Sequence, residues 1–287
     1  MARASQHDRG IFGRLLREIA EQRLNLAQRK RKRDAFGSDK RQPALLIFGA
    51  GAQPGIGAAI AARCAAEGMH AFISGRNAAK VETTAQAIRD AGGRAQALTV
   101  DVRDPNAIAD AFATVREHAC RLELVVHNVG TNRPTPFLDI RPEALEKRWI
   151  SDCRSGFLIG QQAVSCMLEQ ADSERGRGTI IFTGASASLR GRAGFAAFAQ
   201  AKAGLRMLAQ AMAREFGPEG IHVAHTIIDG VVDGDRLRRS MPEYLKAQGE
   251  QGCLDPAAIA ENYWTLAQQH RCAWTQELDL RPSSESW

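Results

Sequence analysis

Four glycines fall within nine residues in Gly49-Ala-Gly51-Ala-Gln-Pro-Gly55-Ile56-Gly57, directly after an apolar run and before an alanine-rich segment. Glycines let a backbone turn tightly and approach a pyrophosphate, whose charge rests against the N-terminus of the following helix. An ordinary strand-to-helix turn is the plain alternative. Its place between a strand and a helix favours dinucleotide binding through Gly51, Gly55, Ile56 and Gly57. The next apolar run ends Ile73-Ser-Gly75-Arg76-Asn77 and lacks the acidic residue that would take a ribose 2′-hydroxyl. Arg76 offers a charged fork for a 2′-phosphate, so NADP(H) is expected, unless Arg76 is only a solvated surface group. Proton transfer has few candidates. The chain holds two tyrosines, Tyr244 and Tyr263. Tyr244, in Met241-Pro-Glu-Tyr-Leu245, is a candidate donor or a surface or packing tyrosine.

These residues need a frame to hold them. Short β-rich apolar runs at Ala44–Phe48, Ala71–Ser74, Ala95–Val100, Leu122–His127, Thr179–Thr183 and His222–Ile228 alternate with alanine-rich helical segments. Near-continuous apolar strands between helices predict an α/β fold, a doubly wound parallel sheet covered on both faces. Ala203–Phe216 sets Leu205, Leu208, Met212 and Phe216 on one helical face before Gly217-Pro218. A last strand is expected over Trp274–Leu280.

The 287 residues suit one sizeable domain with an appendage. Residues 1–42 hold 12 of the 38 Lys+Arg and 5 of the 32 Asp+Glu, a local balance of +7 that leaves 26 basic against 27 acidic residues elsewhere. A basic amphipathic arm and linker over 1–43 is therefore read as joined to a nearly neutral domain over 44–287. Ile11, Leu15, Leu16 and Ile19 recur at helical spacing within 10–30, before the Arg29–Arg33 cluster. That stripe is expected to dock on a neighbouring subunit, with a partner protein or an anionic membrane surface as alternatives. Specific nucleic-acid binding is not expected, since no interleaved aromatics accompany the charge. No run of about 18 apolar residues and no apolar leader stand out, and the six cysteines lack C-x-x-C spacing. A cytoplasmic protein with reduced thiols and no metal site is expected.

Gly51, Gly55 and Gly57 match the T-G-x-x-x-G-x-G spacing of the short-chain dehydrogenase/reductase family, with Ala50 in place of threonine. His127-Asn128-Val129-Gly130 matches its Asn-Asn-Ala-Gly at Asn128 and Gly130. The chain resembles that family over roughly 44–287. The resemblance implies a Rossmann fold, a small-molecule substrate and a homodimer or homotetramer. It also implies adenine contact at Asp101 and Val102, where a plain turn is the alternative for Asp101. It gives Lys202 the cofactor ribose and carries Gly230 over from the family's Pro-Gly. His127 is read as a hydrogen-bonded structural histidine, with proton donation near the nicotinamide as the alternative.

The family's Tyr-x-x-x-Lys pairs a phenol with the lysine; here Phe198 stands four residues before Lys202. The motif serine falls at Ala185, beside Ser186 and Ser188, and the helical asparagine falls at Cys153. The catalytic candidates are thus Lys202, Phe198 at the tyrosine position, Ser186 and Tyr244. Two functions follow from the resemblance. One is an atypical NADP(H)-dependent oxidoreductase acting on a carbonyl, a hydroxyl or an activated alkene. The other is a non-catalytic NADP(H)-binding protein serving as partner subunit or sensor.

Overall fold

A computed structural model describes residues 40–284 except 52, 131 and 250. The arm helix read over 10–30 lies outside the described residues. Seven strands, β1 (Pro43–Phe48), β2 (His70–Gly75), β3 (Arg94–Thr99), β4 (Arg121–His127), β5 (Gly178–Thr183), β6 (Ile221–Ile228) and β7 (Glu277–Leu280), form one sheet. Every neighbouring pair is parallel, in the order β3-β2-β1-β4-β5-β6-β7. The central strands are apolar on both faces because helices cover both faces. Every residue of β5 and β6 is buried.

The strand order reverses between β1 and β4, where Phe48 pairs with His127. The carboxyl ends of the strands at such a reversal are the place where open α/β sheets bind ligands. The glycine loop leads from β1 into α1 (Ile56–Ala66). Helix α2 (Ala78–Asp90) starts after β2, where Asn77 Oδ1 accepts from the Lys80 N–H at 3.0 Å. Helix α3 (Pro105–Glu117) is capped by Asp104 and opened by proline. Helix α4 (Pro142–Trp149) passes through a wide turn of π geometry, Ile150–Arg154, into α5 (Ser155–Leu168).

Helix α6 spans Ala196–Phe216 and so begins seven residues before the expected Ala203. Its first turns are rich in alanine, the strongest helix former, and Gly194 ends the preceding turn with φ at +81°. The buried stripe of α6 is Phe198, Ala201, Lys202, Leu205, Ala209 and Met212. A lysine therefore occupies a core position of a helix. Two short helices, α7 (Asp235–Ser240) and α8 (Pro242–Gln248), follow β6, and α9 (Pro256–Ala267) precedes β7. The last strand starts at Glu277 rather than Trp274, whose indole instead stacks on the His222 ring with centroids 5.0 Å apart.

Candidate functional site

The glycine loop is built against the end of β4. Asn128 Nδ2 donates to the Gly49 carbonyl at 3.0 Å, and the Asn128 N–H donates to Phe48 O at 2.8 Å. A Cβ on Gly57 would come within 2.7 Å of Ala50 Cα, so only glycine lets α1 start this close to β1. Around Gly51 there is open space. The N-terminus of α1 has no side-chain cap and no acidic residue in its first turn. Uncapped helix N–H groups facing a glycine-lined cradle suit a pyrophosphate. Gly51, Gly55, Ile56 and Gly57 lie along the turn from β1 into the first turn of α1.

Arg76 is exposed just beyond β2, close enough to Asp101 beyond β3 to help hold its carboxylate ionised. The larger influence on Asp101 is Arg103, whose Nε lies 3.0 Å from the carboxylate and keeps its pKa below the usual range. Val102 beside it is buried. Gly230 has a packing reason to be glycine, because a Cβ there would reach within 2.6 Å of Pro282 Cδ. Helix α7 is tied to the glycine loop, where the Asp235 N–H donates to Pro54 O at 2.6 Å.

Lys202 sits where β4, β5 and α6 converge, 3% exposed. Its Nζ donates to Val129 O at 2.9 Å and to Thr183 O at 2.7 Å, joining the ends of the two strands. Burial disfavours the charged amine and brings its pKa down to about 8, while Asp152 acts in the opposite direction. Phe198, one helical turn earlier and also buried, places its ring centroid 5.8 Å from Nζ. The ring can share the ammonium's charge, but it has no hydroxyl to pass a proton. Ser186 opens the short turn after β5 and is half-buried. Tyr244 is 41% exposed on α8, whereas Tyr263 is buried, its hydroxyl 2.8 Å from Thr183 Oγ1 and pushed by burial up to about 12.

Other groups around Lys202 escaped the sequence reading. Asp152, in the wide turn before α5, is 1% exposed. Its Oδ1 accepts from Ser151 Oγ at 2.5 Å and its Oδ2 from Arg148 at 3.3 Å. The only signal in the sequence was its place beside Cys153. A second set crosses from α6 to the turn after β5. Arg206 grips Glu277 with two bonds of 2.6 and 2.8 Å, Glu277 Oε2 lies 3.1 Å from His225 Nδ1, and His225 Nε2 lies 3.3 Å from Ser188 Oγ. Ser188 Oγ in turn accepts from the Ala185 N–H at 3.2 Å. A histidine in the middle of the apolar β6 run was the available clue. His127 Nε2 meets Ser155 Oγ at 2.8 Å, and both residues are fully buried, while His127 Nδ1 has no hydrogen-bond partner among the described residues.

The comparisons accord with this geometry. The family model described as short chain dehydrogenase matches residues 45–244. The short-chain reductase protein NovJ of Streptomyces niveus is 33% identical over 177 residues, which make up 60% of this chain and 64% of NovJ. The uncharacterized oxidoreductase YuxG of Bacillus subtilis is 31% identical over 78% of this chain and 31% of its own length. The matches thus span less than two thirds of either relative. The crystal structure of a short-chain dehydrogenase from Rhodopseudomonas palustris superposes with a TM-score of 0.69 at 38% identity, covering 84% of this chain and 99% of that one. This chain belongs to the short-chain dehydrogenase family.

The buried imidazoles set a pH dependence. Burial, reinforced by the nearby charge of Lys202, lowers His127 to about 3; burial outweighs Glu277 and lowers His225 to about 4. An unfolded chain protonates both near pH 6.5. Between about pH 6.5 and 4 the unfolded state therefore takes up protons that the folded state refuses, and stability falls as pH falls. Each histidine contributes up to about 1.4 kcal/mol per pH unit. Urea unfolding from pH 7.5 to 4.5 should show this decline below 6.5, and His127→Gln should make it shallower. A flat profile would contradict the burial of neutral imidazoles.

Proposed function

We propose that the chain is an NADP(H)-dependent oxidoreductase acting on a carbonyl, a hydroxyl or an activated alkene of a small molecule. The observation that carries this reading is Lys202, a buried amine held at the strand ends beside an open dinucleotide cradle. Gly51, Gly55, Ile56 and Gly57 would hold the pyrophosphate, Asp101 and Val102 would border the adenine, and Asn128 and Gly130 would floor the site. Gly230 would shape the wall after β6. Bound NADPH would supply a hydride.

The chain's own task is then to move a proton, and Phe198 at the position of the family's tyrosine cannot do it. Lys202 can. Two of the three N–H groups of its ammonium are taken by Val129 O and Thr183 O, which leaves one for a substrate oxygen. With a pKa of about 8 it gives up a proton near neutral pH far more readily than an ordinary lysine. Acid assistance is worth roughly 10²–10⁴ in rate, and a site without the family's phenol suits substrates that need little of it, such as activated carbonyls and conjugated alkenes. Ser186 and Tyr244 remain secondary candidates at the rim. A homodimer or homotetramer is part of this reading, as the family resemblance implies. The arm over 1–43 is proposed to dock within that assembly, with an anionic surface as the alternative.

Cofactor choice is tested by calorimetric titration. A charged fork on a 2′-phosphate contributes about 1.5–3 kcal/mol, or roughly 10- to 150-fold. NADPH should therefore bind more tightly than NADH by that margin, and Arg76→Ala should erase most of the difference. Equal affinities in the unaltered protein would remove Arg76 from the site.

Turnover is tested by loss of NADPH absorbance with panels of carbonyls and enones. Weak reduction that disappears in Lys202→Met is expected. Binding of NADPH with no turnover across the panels would instead support the non-catalytic reading, in which the chain is a partner subunit or sensor.

A further inference from the structure

A lysine buried on the core stripe of a helix needs a reason to stay charged. The two carbonyls that accept from Lys202 do not supply it, because a neutral amine has two N–H groups and could satisfy both. The charge state is decided by the groups around it. From β4 comes the buried imidazole of His127, from β6 the buried imidazole of His225, and from the turn before α5 the Cys153 thiol. None of these is a negative charge at neutral pH, since burial keeps both imidazoles neutral and raises the thiol. Arg148 on α4 is a further cation, and it opposes the ammonium. Asp152 is the remaining group. Its Oδ2 lies 3.6 Å from the point that a Cβ on Gly130 would occupy, and Lys202 Nζ lies 3.0 Å from the same point. Glycine at 130 leaves that space open, so the carboxylate and the amine face each other across it.

We propose that Asp152 is a positioning residue that acts through Lys202, supplying the buried negative charge that keeps the amine protonated in a site without a phenol. The inference rests on the reading of Lys202 as the proton-carrying group. Asp152 is held for this task by Ser151 on one oxygen and, at the longer distance of 3.3 Å, by Arg148 on the other. Asp152 and Lys202 are both buried, so opposite charges facing each other across that one space still interact appreciably. The two neighbours pull the amine in opposite directions: Asp152 raises its proton affinity and Arg148 lowers it.

That opposition gives a test a merely structural role would fail. The full chain is labelled with ¹³C in its lysine Cε positions, the Lys202 resonance is assigned by its loss in Lys202→Met, and its chemical shift is followed with pH. In the unaltered protein the midpoint should fall near 8. Asp152→Asn should move it to lower pH by about one unit, tenfold in proton affinity. Arg148→Gln should move it to higher pH, and Asp152→Glu should leave it near the unaltered value. A midpoint unmoved in Asp152→Asn, or Asp152→Asn and Arg148→Gln shifting in the same direction, would overturn the proposal. If Asp152→Asn does not fold, the upward shift in Arg148→Gln is still required, and its absence is equally decisive. The resonance reports whether or not any substrate turns over. Inert panels with the stated shifts would sink the enzymatic reading and leave Asp152's role standing, and turnover without the shifts would do the reverse.

Discussion

One buried ammonium organises this molecule's candidate site. Transferring an amine from water to a protein interior is costly unless its donors are satisfied, and Lys202 satisfies two of them on the carbonyls of Val129 and Thr183. Those carbonyls lie at the ends of β4 and β5, beside the point where the strand order reverses. The Lys202 Nζ ties together the sheet's carboxyl edge, and in the proposed function the same atom carries a movable proton to the point where the strand order reverses. The rest of the site is arranged to tolerate that atom: Gly130 has no side chain to collide with it, Phe198 gives it the face of a ring, and Asp152 is buried nearby.

The Arg206–Glu277–His225–Ser188 set holds the turn after β5 in place. Each link crosses between elements, from α6 to β7, to β6 and then to the turn. Its buried members are satisfied in one protonation pattern: neutral His225 donates from Nδ1 to Glu277 and accepts at Nε2 from Ser188. Buried polar groups this connected rigidify a site, because breaking any one link leaves its partners unsatisfied. Ser188, three residues past Ala185, is in this arrangement an anchor and not a nucleophile, since its hydroxyl is committed on both sides.

Most of the fold was legible because strands buried on both faces leave near-continuous apolar runs, and six of the seven strands, the partly exposed edge strand β3 among them, fall within a residue of the expected runs. The exception is the edge strand β7, whose mixed Glu-Leu-Asp-Leu pattern has no such run. The start of α6 was misplaced for a specific reason. The apolar stripe was counted from Leu205, and Lys202 does not look like a core residue until Val129 and Thr183 are seen to accept from it. The cradle was readable in part because glycine spacing is local. His225 and Glu277 were not, because their partners come from other elements: His225 and Glu277 are 52 residues apart and His225 and Ser188 are 37 apart. Asp152 bonds to its own neighbours Ser151 and Arg148, but its burial beside Lys202 is set by the fold. A buried charge declares itself only when the chain that satisfies it has been folded around it.

The central claim is that Lys202 couples the cofactor cradle to the ends of β4 and β5, and backbone hydrogen exchange with and without NADPH tests it most directly. NADPH should slow exchange at Gly49–Gly57, at Asn128–Gly130 and over 183–188. In Lys202→Met the slowing at Gly49–Gly57 should persist, while that at Asn128–Gly130 and 183–188 is lost. Protection confined to Gly49–Gly57 in the unaltered protein, or an identical pattern in Lys202→Met, would contradict the account.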